Sequence, residues 1–121
     1  MNLLDSSALL AYLLDEPGAD VVTDCLATGS RVSAANWSEV AQKSRAAGRN
    51  WEFARRLLLA QNLVVEPVTA DDAERAAATW ISRPSLSLAD RLCLASGERL
   101  AATVWTADRE WGAVEPVRQI R

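Results

Sequence analysis

The stretch Asn2-Leu3-Leu4-Asp5-Ser6-Ser7-Ala8-Leu9-Leu10-Ala11-Tyr12-Leu13-Leu14 decides the fold, because its hydrophobic period changes across the single residue Asp5. Asn2 to Leu4 is a short apolar run that reads as a strand. Over Ser6 to Leu14 the leucines at 9, 10 and 13 recur at helical spacing. The same alternation continues outward. Pro17 and Gly18 interrupt the first helix, and Val21, Val22, Cys25 and Leu26 make a second helical face that stops at Gly29. Arg31 to Ala34 reads as the second strand. Two helices follow, Asn36 to Ala47 and Asn50 to Gln61, separated by Gly48. The Val-rich run Leu63 to Glu66 is a third strand closed by Pro67, and Ala70 to Ile81 is alanine-rich and helical. Pro84 and Ser85 break the chain before a helix over Leu88 to Leu100. Ala101 to Thr106 and Val114 to Ile120 are the last strands, with a short turn or helix at Asp108 to Trp111 between them.

Strands alternating with helices imply a parallel sheet, since parallel neighbours need long crossover connections and those are usually helical. The expected class is α/β, with a central parallel sheet flanked by helices on both faces. At 121 residues the chain is one domain, 1–121, because domains mostly run to about 100 to 150 residues. Leu9, Leu10, Leu13, Val64, Leu92 and Val104 are assigned to its core. In such a sheet the strands' carboxyl ends share one edge, and function is expected there.

Half of the residues are hydrophobic and 24% are charged, the balance of an ordinary globular domain. A formal charge of −3 excludes nucleic-acid affinity from a generally cationic surface. The chain has no histidine, which removes Ser-His and Cys-His nucleophiles and His-containing zinc sites. Cys25 and Cys93 lack CxxC spacing and are expected to be buried thiols. The N-terminus lacks the cationic head of a signal peptide, and no stretch approaches the roughly 20 apolar residues of a membrane span. A cytoplasmic protein without a membrane partner is expected.

Asp5 ends the first strand, Glu39 lies in the first turn of the helix after the second, Asp90 begins the helix before the fourth, and Asp108 follows the fourth. Each has an ordinary explanation. Acids near helix starts satisfy free N–H groups and the helix dipole, and Asn36 with Glu39 and Ser87 with Asp90 have the separation of a capping box or its near variant. Four on one edge without a facing lysine or histidine is a different matter, because they repel one another and should have raised pKa values. A divalent cation resolves the conflict. Oxygen-only ligands suit Mg²⁺ or Mn²⁺ better than zinc, and such an ion can activate water against a phosphodiester without histidine. Thr106, two residues before Asp108, is placed to hydrogen-bond a ligand carboxylate or a metal water.

These residues sit in the segments Leu3-Leu4-Asp5-Ser6-Ser7-Ala8, Asn36-Trp37-Ser38-Glu39-Val40, Leu86-Ser87-Leu88-Ala89-Asp90-Arg91-Leu92-Cys93-Leu94-Ala95 and Val104-Trp105-Thr106-Ala107-Asp108-Arg109-Glu110-Trp111. In order and spacing they resemble the PIN-domain ribonucleases, and more narrowly the VapC toxins of bacterial toxin-antitoxin pairs. The resemblance implies an endoribonuclease in which Asp5, Glu39, Asp90 and Asp108 hold Mg²⁺ or Mn²⁺ and Thr106 supports them. It also implies a homodimer and a cognate VapB-type antitoxin whose C-terminal segment occupies the acidic crevice, with an arginine in place of the metal charge. Some relatives carry another acid late in the chain; Glu110 is left out as an exposed turn residue.

Between Lys43 and Arg56 five cations, Lys43, Arg45, Arg49, Arg55 and Arg56, face one acid, Glu52. Local positive charge of this kind would let an acidic protein hold RNA phosphates, although a solvated face whose arginines pair with acids is the ordinary alternative. Of the five tryptophans, Trp37 and Trp111 stand nearest the proposed ligands and are the candidates for base stacking, against packing in the core. Two other classes compete. A phosphoacceptor receiver domain would need a lysine after a late strand, and the only lysine is Lys43 in a middle helix. A PIN-like fold acting as a non-catalytic binding or scaffold module would keep the acids for stability alone.

Overall fold

Leu3 and Leu4 point to opposite faces of a strand and neither is exposed, so β1 (Asn2–Leu4) must be covered on both sides. The computed structural model, which describes residues 1–121, places it at the centre of a five-stranded sheet of order β3-β2-β1-β4-β5. Its partners are β2 (Ser30–Ser33) and β4 (Thr103–Thr106), with β3 (Leu63–Glu66) and β5 (Val117–Gln119) outside them. Every pairing is parallel. The order reverses direction at β1, so the crevice between the carboxyl ends of β1 and β4 is a topological switch point, where open α/β sheets bind ligands.

The helices are α1 (Ser6–Leu13), α2 (Ala19–Ala27), α3 (Ala34–Ala46), α4 (Trp51–Leu59), α5 (Ala70–Thr79) and α6 (Leu88–Leu100), with a 3-10 turn at Arg109–Trp111. On one face Leu4 packs with Leu9 of α1, Val22 and Leu26 of α2, Val40 of α3 and Leu58 of α4. On the other, Leu3 packs with Cys93 of α6, Val104, Trp111 and Val117. Helices on both faces of a parallel sheet are the architecture expected from the sequence.

Local capping sets where the helices start. Asp5, Ser33, Asn50, Thr69 and Ser87 each accept a hydrogen bond from a first-turn N–H, and Thr69 with Asp72 and Ser87 with Asp90 complete capping boxes. One boundary moves the site. Ser33 caps α3, so that helix begins two residues before the expected Asn36, and Glu39 falls in the second turn rather than the first. Ala101 adopts a left-handed conformation with φ 51° that closes α6, which delays β4 to Thr103. Val64, expected in the core, is 45% exposed, because it lies on the edge strand β3. Leu9, Leu10 and Val104 are buried as expected, Leu13 and Leu92 half-buried. Both cysteines are buried free thiols.

Two contacts fix α6, the helix that carries Asp90. Gly97 lies against β4 so closely that a Cβ there would meet Val104 Cγ2 at 2.5 Å. Asp72 of α5 is fully buried, and its oxygens accept from Arg99 Nε at 3.0 Å and Arg99 Nη2 at 3.1 Å. Burial pushes the Asp72 carboxyl up, but the Arg99 and Thr69 hydrogen bonds outweigh it and hold the group below the usual carboxylate range. Glu66 joins this network through Arg31 and, at 3.9 Å, Arg99.

Candidate metal centre

Asp5 follows β1 directly, and the switch from strand to helix leaves its side chain at the carboxyl edge, only 2% exposed. Its Oδ1 accepts from Ala8 N–H at 2.8 Å, which is the helix cap. Its Oδ2 accepts from Thr106 Oγ1 at 2.6 Å. Thr106, at the end of β4, is fully buried and in turn accepts from Asp108 N–H at 3.0 Å. A single hydroxyl thus joins two of the acids across the switch point. Asp108 also caps the 3-10 turn through Glu110 N–H at 2.9 Å.

Asp90 reaches the same edge from the start of α6. Its Oδ2 accepts from Ser87 N–H at 3.0 Å, and its own N–H donates to Ser87 Oγ. Glu39 approaches from α3, with Oε1 accepting from Ser6 Oγ and from Asn36 Nδ2, each at 2.9 Å. The capping explanation is therefore correct for Asp5, Asp90 and Asp108, while Glu39 is held by side chains. Three of the four keep a free oxygen, since no hydrogen bond is made to Oδ1 of Asp90, Oδ2 of Asp108 or Oε2 of Glu39, whereas both oxygens of Asp5 are engaged.

Electrostatics bind the four into one neighbourhood. Burial, the larger cause, pushes the Asp5 carboxyl up to about 6 against the hydrogen bonds that stabilise its charge, and Asp90 adds like-charge repulsion. Asp90 is raised too, first by burial and then by Glu39 and Asp108. Desolvation thus outweighs the mutual repulsion anticipated from the sequence. Cys93, one turn from Asp90, is buried beside this group, and burial together with the charges of Asp5, Asp90 and Glu39 pushes its thiol well above its usual range.

As they stand, no three of the chain's Asp, Glu or Cys side chains converge into a metal-holding group. The chemistry nevertheless fits a hard cation. The donors are all oxygen, Glu39, Asp90 and Asp108 each keep one carboxylate oxygen free of hydrogen bonds, and none of the four acids forms a salt bridge with any Lys or Arg.

Sequence reasoning missed Ser6 and Ser7, and read Asn36 as a helix cap rather than as the donor that holds Glu39. Ser7 Oγ donates to Asp5 at 2.7 and 2.9 Å and accepts from Ala107 N–H at 2.9 Å. Their adjacency to Asp5 and Glu39 was the only signal, since the partners lie up to 100 residues away. Trp111 is 2% exposed and buried against Leu3 and Val117, so it is core and unavailable for base stacking. Trp37 is half-buried, edge-on to Trp51 with ring centroids 5.0 Å apart. The five cations of α3, α4 and their connection are all exposed, and none pairs with an acid.

The PIN domain family model matches residues 3–115, and the chain belongs to that family. No curated protein matches the sequence. Among solved structures, a toxin-antitoxin complex from Klebsiella pneumoniae has 19% identity and a TM-score of 0.82 and covers 100% of this chain and 98% of that one. VapC20 of Mycobacterium tuberculosis, described as a sarcin-ricin loop cleaving toxin, has 18% identity and a TM-score of 0.73, with 95% of each chain covered. DNA-bound VapBC from Salmonella typhimurium has 14% identity and a TM-score of 0.72, covering 99% of this chain and 98% of that one. The fold is thus shared with VapC proteins from end to end. No helix is long and apolar enough to cross a membrane.

Proposed function

We propose that the chain is a Mg²⁺- or Mn²⁺-dependent endoribonuclease, the toxin of a VapBC-type pair, restrained by a VapB-type antitoxin. The observation that carries this reading is Asp5: a buried carboxylate at the switch point, bonded to Thr106 at 2.6 Å, repelled by Asp90 and paired with no Lys or Arg. Family membership and the toxin-antitoxin neighbours support the same reading.

Asp5, Glu39, Asp90 and Asp108 would hold the ion, and Thr106 would fix the orientation of Asp5. When bound, the ion supplies charge that acidifies water and stabilises the developing negative charge on the phosphodiester. The chain's own contribution is placement. The caps lock Asp5, Asp90 and Asp108 to rigid element ends, while Ser6 and Asn36 set the carboxylate of Glu39. Lys43, Arg45, Arg49, Arg55 and Arg56 would bind RNA phosphates on a face unburdened by local ion pairs. A homodimer and a cytoplasmic location belong to the same proposal.

Incubation of the purified protein with total RNA in Mg²⁺, Mn²⁺ or EDTA tests it. Metal-dependent cleavage that EDTA stops and Asp90→Asn abolishes is the expected result. The scaffold reading is favoured by the capping role of three acids. Absent or EDTA-insensitive cleavage, with no thermal stabilisation by millimolar Mn²⁺, would establish it instead.

A further inference from the structure

The two residues after Asp5 divide their hydroxyls between opposite sides of the crevice. Ser6, in the first turn of α1 and only 5% exposed, donates to Glu39 Oε1 at 2.9 Å and so ties α1 to α3. Ser7 turns toward β4. It donates to both oxygens of Asp5, accepts from the backbone N–H of Ala107, and lies 3.2 Å from Thr106 Oγ1. Ala107 directly precedes Asp108, so the Ser7 hydroxyl connects one acid with the backbone that carries another. Asn36 completes the hold on Glu39 from within α3 and is itself fully buried.

We infer that Ser6 and Ser7 are positioning residues that preset the spacing of Asp5, Glu39 and Asp108 for a divalent cation. This rests on the reading of the acids as metal ligands. A carboxylate held by one hydrogen bond swings about its Cα–Cβ and Cβ–Cγ bonds, and a cation must then bear the cost of ordering it. Asp5 and Glu39 have that order supplied before any ion arrives. Because the acids do not yet converge on one point, their starting positions determine how far each must move to ligate. Hydrogen-bonding partners behind metal ligands typically contribute about 10- to 100-fold in metal affinity.

The test is Mn²⁺ binding to the purified protein, followed by the electron paramagnetic resonance of free Mn²⁺, in wild type, Ser6→Ala, Ser7→Ala, Ser7→Thr and Asp5→Asn. Circular dichroism and thermal melting of each variant separate loss of fold from loss of placement. The expected result is a Kd raised about tenfold or more in each folded alanine variant, with Ser7→Thr, which keeps the hydroxyl, within a few-fold of wild type. RNA cleavage by Ser7→Ala should need correspondingly more Mn²⁺ for half-maximal rate and recover most of its kcat at saturation. Wild-type Mn²⁺ affinity in both folded alanine variants, with binding lost in Asp5→Asn, would overturn the positioning role and leave the metal site standing. Absence of Mn²⁺ binding by the wild type would overturn both.

Discussion

At the residue scale the centre is governed by a conflict between burial and charge. Asp5 is pushed up to about 6, about two units above an unfolded aspartate, which corresponds to about 3 kcal/mol. Because the folded value is the higher one, this penalty is absent below about pH 4, grows between pH 4 and 6 and is full above that. Asp5→Asn is accordingly expected to stabilise the metal-free protein by about 1 to 3 kcal/mol at pH 7.5, with little effect at pH 4, while abolishing cleavage. Urea denaturation at the two pH values checks it; equal destabilisation at both would contradict the strain assigned to Asp5. Asp72 has the opposite sign. Its folded value is depressed, so its contribution is present above about pH 4 and lost as the pH falls through the folded value. Asp72→Asn should cost about 2 to 4 kcal/mol at pH 7, read from the same curves, because it leaves Arg99 short of its buried partner.

Elements bring the acids together, and here the sequence was legible where signals are local. The strand-to-helix change at Asp5, the Ser87 and Asp90 box and the run Leu63–Glu66 all announce themselves within a few residues. What sequence could not show depends on the other side of a contact. Asn36 is a good cap by type, yet Ser33 takes that role, and only the α3 packing reveals Asn36 as a clamp on Glu39. Val64 has the period of a core residue, but whether its face is covered depends on which strand lies at the edge. The stretch Ser96-Gly97-Glu98-Arg99 departs from the family pattern, but only the structure shows that Gly97 is where α6 lies on β4. Gly97→Ala would place a methyl 2.5 Å from Val104 Cγ2, and should lower stability by about 1 to 3 kcal/mol. Thermal unfolding measures this. A wild-type melting temperature would show that the α6 to β4 approach is not tight.

For the whole molecule the question is how a chain of net charge −3 would engage the RNA proposed as its substrate. The charges are segregated, with acids at the switch point and unpaired cations on α3, α4 and their connection, which is the arrangement such binding would need. Arg49→Glu combined with Arg55→Glu is expected to weaken RNA binding and flatten its dependence on salt, because fewer phosphate counterions are released. Filter binding across a salt series checks this, and unchanged affinity and slope would remove the face from RNA recognition. The fold class was readable in full because alternating strands and helices leave few ways to connect a parallel sheet. The acids' common edge followed from that topology. Their exact reach did not, since it is set by serines whose partners lie far along the chain.

Everything at the site turns on whether a divalent cation is drawn to the crevice between β1 and β4, and crystals of the protein soaked in Mn²⁺ decide it through anomalous scattering. A peak with carboxylate oxygens of Asp5 and at least two of Glu39, Asp90 and Asp108 around it, at about 2.1 Å, is the predicted result. A fully soaked crystal with no peak at that edge, its acids still engaged only in their caps, would contradict the account.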